Sequence, residues 1–133
     1  MNRIRRRRVW CLVLAATTIM AGLIWRLVPL GLPPFWFKYG GSALWAAMVY
    51  WIAATALPNQ RPVKVAAIAC GIATIVELSR LLHTPPTDAF RISMAGRLLL
   101  GRFFSVWDIV AYCLAIAMVA AADQAITRTT GRC

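Results

Sequence analysis

Four runs of about 20 residues in this chain are apolar almost throughout, and each is long enough to cross the hydrocarbon core of a bilayer as a helix. They fall at residues 9–28, 40–57, 63–82 and 105–124. Backbone groups in lipid have no water to bind, so a single run of this length satisfies them only as a helix. The four runs take up most of the 133 residues and leave short connections. Residues 1–133 therefore read as a single membrane domain, and the expected fold is an all-α integral membrane protein, a bundle of four transmembrane helices.

Composition narrows the function classes. The chain is 61% hydrophobic, yet it carries 15 Lys and Arg against 4 Asp and Glu, a net charge of +11. A basic and polar chain would suggest a nucleic-acid binder. This one is basic and apolar, so no nucleic-acid partner is expected and membrane lipid is. Cys11, Cys70, Cys113 and Cys133 are widely separated, with no metal-ligand spacing. Three of them sit inside apolar runs and read as small buried hydrophobes, and no metal or cofactor is expected. His83 stands alone after the third run and reads as a solvated interfacial residue. The first run reads as an uncleaved anchor. It is long for a signal sequence, and Leu23-Ile24-Trp25-Arg26 offers no small-x-small cleavage site.

Basic residues set the orientation, because they favour the cytoplasmic side. Arg3, Arg5, Arg6, Arg7, Arg8, Arg61, Lys64, Arg128 and Arg132 fall on one side when both termini are cytoplasmic. The first connection holds Arg26, Lys38 and the aromatic cluster Phe35, Trp36, Phe37 and Tyr39, which suits a membrane interface.

The third connection breaks this pattern. It faces outward in the same topology, yet Arg80, Arg91, Arg97 and Arg102 lie within 23 positions of one another, with Asp88 as the acid among them. Solvated arginines account for this without a function. Arginine's planar fork also suits phosphate and carboxylate, which makes the four candidates for binding an anion. Residues 90–104 mix these arginines with apolar side chains and are too short and charged to span. An interfacial or re-entrant segment between the third and fourth helices is expected there. Gly96 and Gly101 lack the Lys-Ser/Thr of a phosphate loop, so no nucleotide site is read.

Two of the four acids, Glu77 and Asp108, fall inside the runs. A charge at the bilayer centre costs about 2.5–3.5 kcal/mol and faces the bundle interior. Steps of three and four from Glu77 meet Ala73 or Thr74, Cys70 and Ala66. From Asp108 they meet Ala111 or Tyr112, Ala115, Val119 and Ala122. Stripes of small residues are where membrane helices approach closely. Both acids lie roughly 6–8 Å below the outer surface by helical rise. A structural ion-pair network joining the third helix to the fourth is one reading, and a polar pocket open to the outer leaflet is the other. Arg80 follows Glu77 by three residues, and Arg97 and Arg102 reach the same zone.

The pattern Glu77-Leu78-Ser79-Arg80-Leu81, Pro86 with Asp88-Ala89-Phe90-Arg91, Gly96-Arg97-Leu98-Leu99-Leu100-Gly101, and Asp108-Ile109-Val110-Ala111-Tyr112 resembles a family of short bacterial membrane proteins, the domain of unknown function 2809. That family looks distantly similar to the VanZ-like proteins, which are associated with low-level resistance to a lipoglycopeptide-class antibiotic. The resemblance covers residues 25–121 and implies a multi-pass protein of the bacterial inner membrane with no assigned activity. It singles out Glu77, Arg91, Arg97 and Asp108, with Tyr112 one turn below Asp108. Arg80 stands where VanZ-like proteins often have Gln. Three functions stay open. One is binding of an anionic lipid or lipid-linked envelope component through the arginine-rich connection. Another is a membrane-embedded enzyme acting on a lipid-linked substrate with Glu77 and Asp108 as acid and base. The third is a small transport or scaffold subunit working as a homo-oligomer.

Overall fold

The structure is a computed structural model that describes residues 2–28, 31, 33–79, 89, 92–93 and 106–130. It contains four long helices: α1 over Arg3–Leu27, α2 over Pro34–Ala56, α3 over Pro62–Ser79 and α4 over Val106–Thr130. No strand occurs among the described residues.

Each boundary has a local cause. The α1 ladder opens with the Arg6 amide donating to the Asn2 carbonyl at 2.9 Å. Arginine is a good helix former, so the basic run is helical too, and α1 starts at Arg3 rather than at residue 9. Hydropathy had marked the lipid-immersed part of the helix and not its end. After α1, Val28 is extended, and Gly31 adopts φ +67°, which a side chain would resist. Pro34 then opens α2 at its first position, where the missing amide costs nothing. Leu57 and Pro58 end α2, and Pro62 opens α3 after a short turn. So brief a link makes α2 and α3 antiparallel neighbours. The third span was expected to reach residue 82, of which 80–82 lie outside the described residues. The fourth helix runs beyond residue 124 to Thr130.

The helix α2 touches each of the other three, and α3 packs on α4. Its buried face carries Ala46, Ala47, Tyr50, Ala53 and Ala54. Val65, Ala69, Ala73 and Glu77 form the buried line of α3 at four-residue intervals. Asp108, Tyr112, Ile116, Ala120 and Asp123 form that of α4. Of the expected α4 stripe, Tyr112, the alternative to Ala111, is on this line, Ala115 and Val119 pack beside it, and Ala122 is exposed.

The interior is built of small residues and the surface of large apolar ones. Ile19, Met20, Ile75, Leu114 and Met118 are exposed. Lipid is as apolar as leucine, so packing of small residues brings helices together while large ones face the tails. Hydroxyls satisfy themselves in the same spirit. Thr17, Thr55 and Thr74 each donate to a carbonyl one turn back at 2.8 Å, without needing water. Three of the helices, α1, α3 and α4, are long and apolar enough to cross a membrane, which fits a multi-pass membrane protein. The helix α2 has 23 residues and carries no charged side chain after Lys38.

The Trp25 side chain of α1 packs against Gly40 of α2. A Cβ there would sit 2.8 Å from Trp25 Cε2, inside van der Waals contact. The Trp25 indole fills the space a side chain would need and donates to the Phe37 carbonyl at 3.0 Å.

Candidate functional site

The end of the bundle from which residues 80–105 emerge holds a buried polar cluster. Glu77, in the last turn of α3, is fully enclosed. Asp108, in the first turn of α4, is 3% exposed. Tyr112, one turn further along α4, donates its hydroxyl to Glu77 Oε2 at 3.2 Å. An i, i+4 step along α4 and an antiparallel α3 suffice to place these three side chains on one interface.

The α2 helix supplies the rest of the cluster. Lys38 Nζ is 3.9 Å from Asp108 Oδ1, with its side chain about half exposed. Its carbonyl accepts the Ser42 hydroxyl at 3.1 Å. The Trp45 ring packs on Tyr112 with centroids 5.1 Å apart. Ser42 is buried between these residues' turns. The site thus brings two buried carboxylates to one end of the bundle, beside the Tyr112 and Trp45 rings, with the Lys38 ammonium approaching from the first turn and a half of α2.

Of the residues expected from sequence, Glu77, Asp108 and Tyr112 meet at this end of α3 and α4. Arg80, Arg91, Arg97 and Arg102 lie outside the described residues. So does the expected interfacial or re-entrant segment, apart from Ile92 and Ser93. Lys38 and Trp45 had no sequence signal tying them to the site. They are far from it along the chain, and only the antiparallel return of α2 brings them there.

A second polar cluster lies at the opposite end. The Tyr50 hydroxyl donates to Asp123 Oδ2 at 2.6 Å, and Arg7 Nη2 reaches the same oxygen at 3.1 Å. Arg7 Nη1 also donates to Thr127 Oγ1 at 3.0 Å, and Thr127 donates to the Asp123 carbonyl at 2.7 Å. This cluster ties α1, α2 and α4 together. The sequence reading had assigned Arg7 to orientation alone and given Asp123 no role. The signal was present in the helical steps of four from Asp108 through Tyr112, Ile116 and Ala120, from which a last step of three reaches Asp123. Between the two clusters lie Ile116, Ala69 and Ala120, all buried and apolar. Tyr112 and Asp123 are about 16 Å apart along α4, so the clusters are separate sites and not one polar channel.

Among the described residues, no group of three or more His, Cys, Asp or Glu side chains gathers where it could hold a metal ion. The first cluster offers two carboxylates, a phenol and an ammonium, which is hydrogen-bonding and charge-orienting chemistry.

Residues 31–116 match the family of proteins of unknown function DUF2809, and the chain belongs to that family. The matched segment includes Lys38, Ser42, Trp45, Glu77, Asp108 and Tyr112, and it stops short of Arg7, Asp123 and Thr127. No solved structure matches the chain.

Proposed function

We propose that this protein binds an anionic lipid, or a lipid-linked envelope component with an anionic head group, at the end of the bundle that carries Glu77 and Asp108. The observation that carries the reading is the burial of these two acids at the facing ends of α3 and α4, the helices that the arginine-rich connection joins. Buried carboxylates draw cations to themselves. Arg26, Lys38, Arg80, Arg91, Arg97 and Arg102 are the six cations that the sequence assigns to that end, against the three acids Glu77, Asp88 and Asp108. The acids hold part of that positive charge in place, and the surplus suits a phosphate.

In this reading all four helices cross the membrane. The 23 residues of α2 span about 34 Å, enough for the hydrocarbon core. A helix packed lengthwise between α1 and α3 crosses where they cross. The basic residues place both termini in the cytoplasm of a bacterium and the arginine-rich connection on the outer face of the inner membrane.

The test is to purify the protein from membranes and identify its co-purifying lipids by mass spectrometry. An Arg91→Ala/Arg97→Ala variant is expected to lose an anionic species that the parent retains. An unchanged lipid complement would overturn the reading. The Tyr112–Glu77 hydrogen bond favours one alternative, acid–base chemistry on a lipid-linked substrate. Glu77→Gln separates the two, because it keeps the hydrogen bond and the volume but removes the titrating group. Lipid retention that survives this change fits binding.

A further inference from the structure

The basic run at the start of α1 is not one uniform patch. Arg7 faces inward, its guanidinium taken up by Asp123 and Thr127. Arg5 and Arg8 turn the other way and line a groove of about 520 Å³ with Asn2, Ile4, Val9 and Leu12. Arg3 and Arg6 are exposed as well but do not line it.

We propose that this groove is a binding site for one anionic phospholipid, in the leaflet at the end of the bundle opposite Glu77 and Asp108. Arg5 and Arg8 are about one helical turn apart, so their guanidinium forks can converge on one phosphodiester. The first turn of α1 contains no acid to compete for them. Below the arginines the groove becomes apolar through Val9 and Leu12, both about half exposed. That surface continues down α1 through exposed Ile19 and Met20. Charge at the top and an uninterrupted apolar track beneath it match the two halves of a phospholipid, with the head group at the interface and a chain alongside the helix. A free phosphate would use the arginines alone and leave Val9 and Leu12 without a role. The groove owes nothing to Glu77, Asp108 or the arginine-rich connection, so it stands or falls independently of the function proposed above.

Native mass spectrometry of the delipidated full-length protein, titrated with phosphatidylglycerol or phosphatidylcholine, tests the site. The first phosphatidylglycerol is expected to bind more tightly than phosphatidylcholine. Arg5→Ala/Arg8→Ala should weaken it about tenfold or more, since each basic residue near the surface contributes roughly a factor of five. Arg3→Ala/Arg6→Ala removes the same charge from other faces of the helix and should leave binding within about twofold. Equal losses in the two double variants would mean diffuse attraction to a basic tail and would overturn the proposal. Equal binding of the two lipids would overturn it as well. So would displacement of the lipid by glycerol phosphate at matched concentration, because the head group alone would then account for binding.

Discussion

Tyr50 on α2 and Asp123 on α4 are joined by a 2.6 Å hydrogen bond with both side chains buried. Asp123 also takes Arg7 from α1, so one carboxylate holds three helices. Its removal is expected to do more harm than removal of the whole polar group. Asp123→Leu alone leaves the Arg7 guanidinium and the Tyr50 hydroxyl without their acceptor. It should cost about 2–4 kcal/mol, the lower end applying because the Arg7 side chain is partly exposed. Arg7→Met/Asp123→Leu, in a Tyr50→Phe background, restores an apolar contact and should recover much of that loss. Thermal unfolding of the parent, Asp123→Leu and the triple variant in one detergent measures the difference.

Gly40 gives a second contrast. Gly40→Ala pushes a methyl group into the Trp25 ring and must displace it, with loss of the indole hydrogen bond to Phe37. A cost of about 1–3 kcal/mol is expected from overpacking. Gly71→Ala on α3 meets nothing within 4 Å. It should be neutral or should gain up to about 1 kcal/mol in helix propensity. If the two substitutions shift the melting temperature alike, α1 and α2 do not approach as closely as the Trp25 contact requires.

Much of the fold was legible because apolar length is a strong signal in lipid. The runs around Cys11, Ala46, Ala69 and Ile116 announced four helices, and intramembrane charge pointed to Glu77 and Asp108 as interior residues. What sequence could not give was pairing across distance. Lys38 meets Asp108 although 70 positions separate them. Arg7 is one of five arginines among residues 3–8, and nothing local distinguishes it from Arg6 or Arg8. Its difference is rotational: it shares the α1 face of Cys11 and Ala15, the two buried residues of that helix. A run of identical side chains hides its own phase. The helix hydropathy around it also hides it, since the apolar residues of α1 face lipid as well as protein.

The two contacts made by the acids of the first cluster should differ sharply in weight. Tyr112 is 3% exposed and gives Glu77 a hydrogen bond in a fully enclosed setting. Tyr112→Phe is therefore expected to cost about 1–3 kcal/mol, the range for a buried acceptor that loses its partner. Lys38 is about half exposed and stands 3.9 Å from Asp108, at the outer limit of an ion pair. Lys38→Met should cost less than about 1 kcal/mol, because solvent and head groups screen such a pair. Thermal unfolding in a single lipid or detergent ranks the two. A Lys38 effect as large as that of Tyr112 would mean that the ammonium is held more closely than 3.9 Å.

The side of the membrane reached by each connection decides what the arginines can bind, and it is directly measurable. Antiparallel α2 and α3 put the turn containing Asn59 at the same end of the bundle as the first turn of α1 and the last turn of α4. The acids Glu77 and Asp108 mark the other end. Asn59 is exposed, so a cysteine there can be reached by a membrane-impermeant thiol reagent once the native cysteines are replaced. In intact cells Asn59→Cys should stay unlabelled, and Asp88→Cys should react. After permeabilisation both should react. The physical ground for this orientation is that Arg3, Arg5, Arg6, Arg7, Arg8, Arg61, Lys64 and Arg128, eight of the fifteen basic residues, gather at the Asn59 end. Labelling of Asn59→Cys in intact cells, with Asp88→Cys protected, would invert the protein. Arg80, Arg91, Arg97 and Arg102 would then be ordinary cytoplasmic charges. A site for an outer-leaflet or envelope component at that end would be lost, while the α1 groove would keep its chemistry and change only its leaflet.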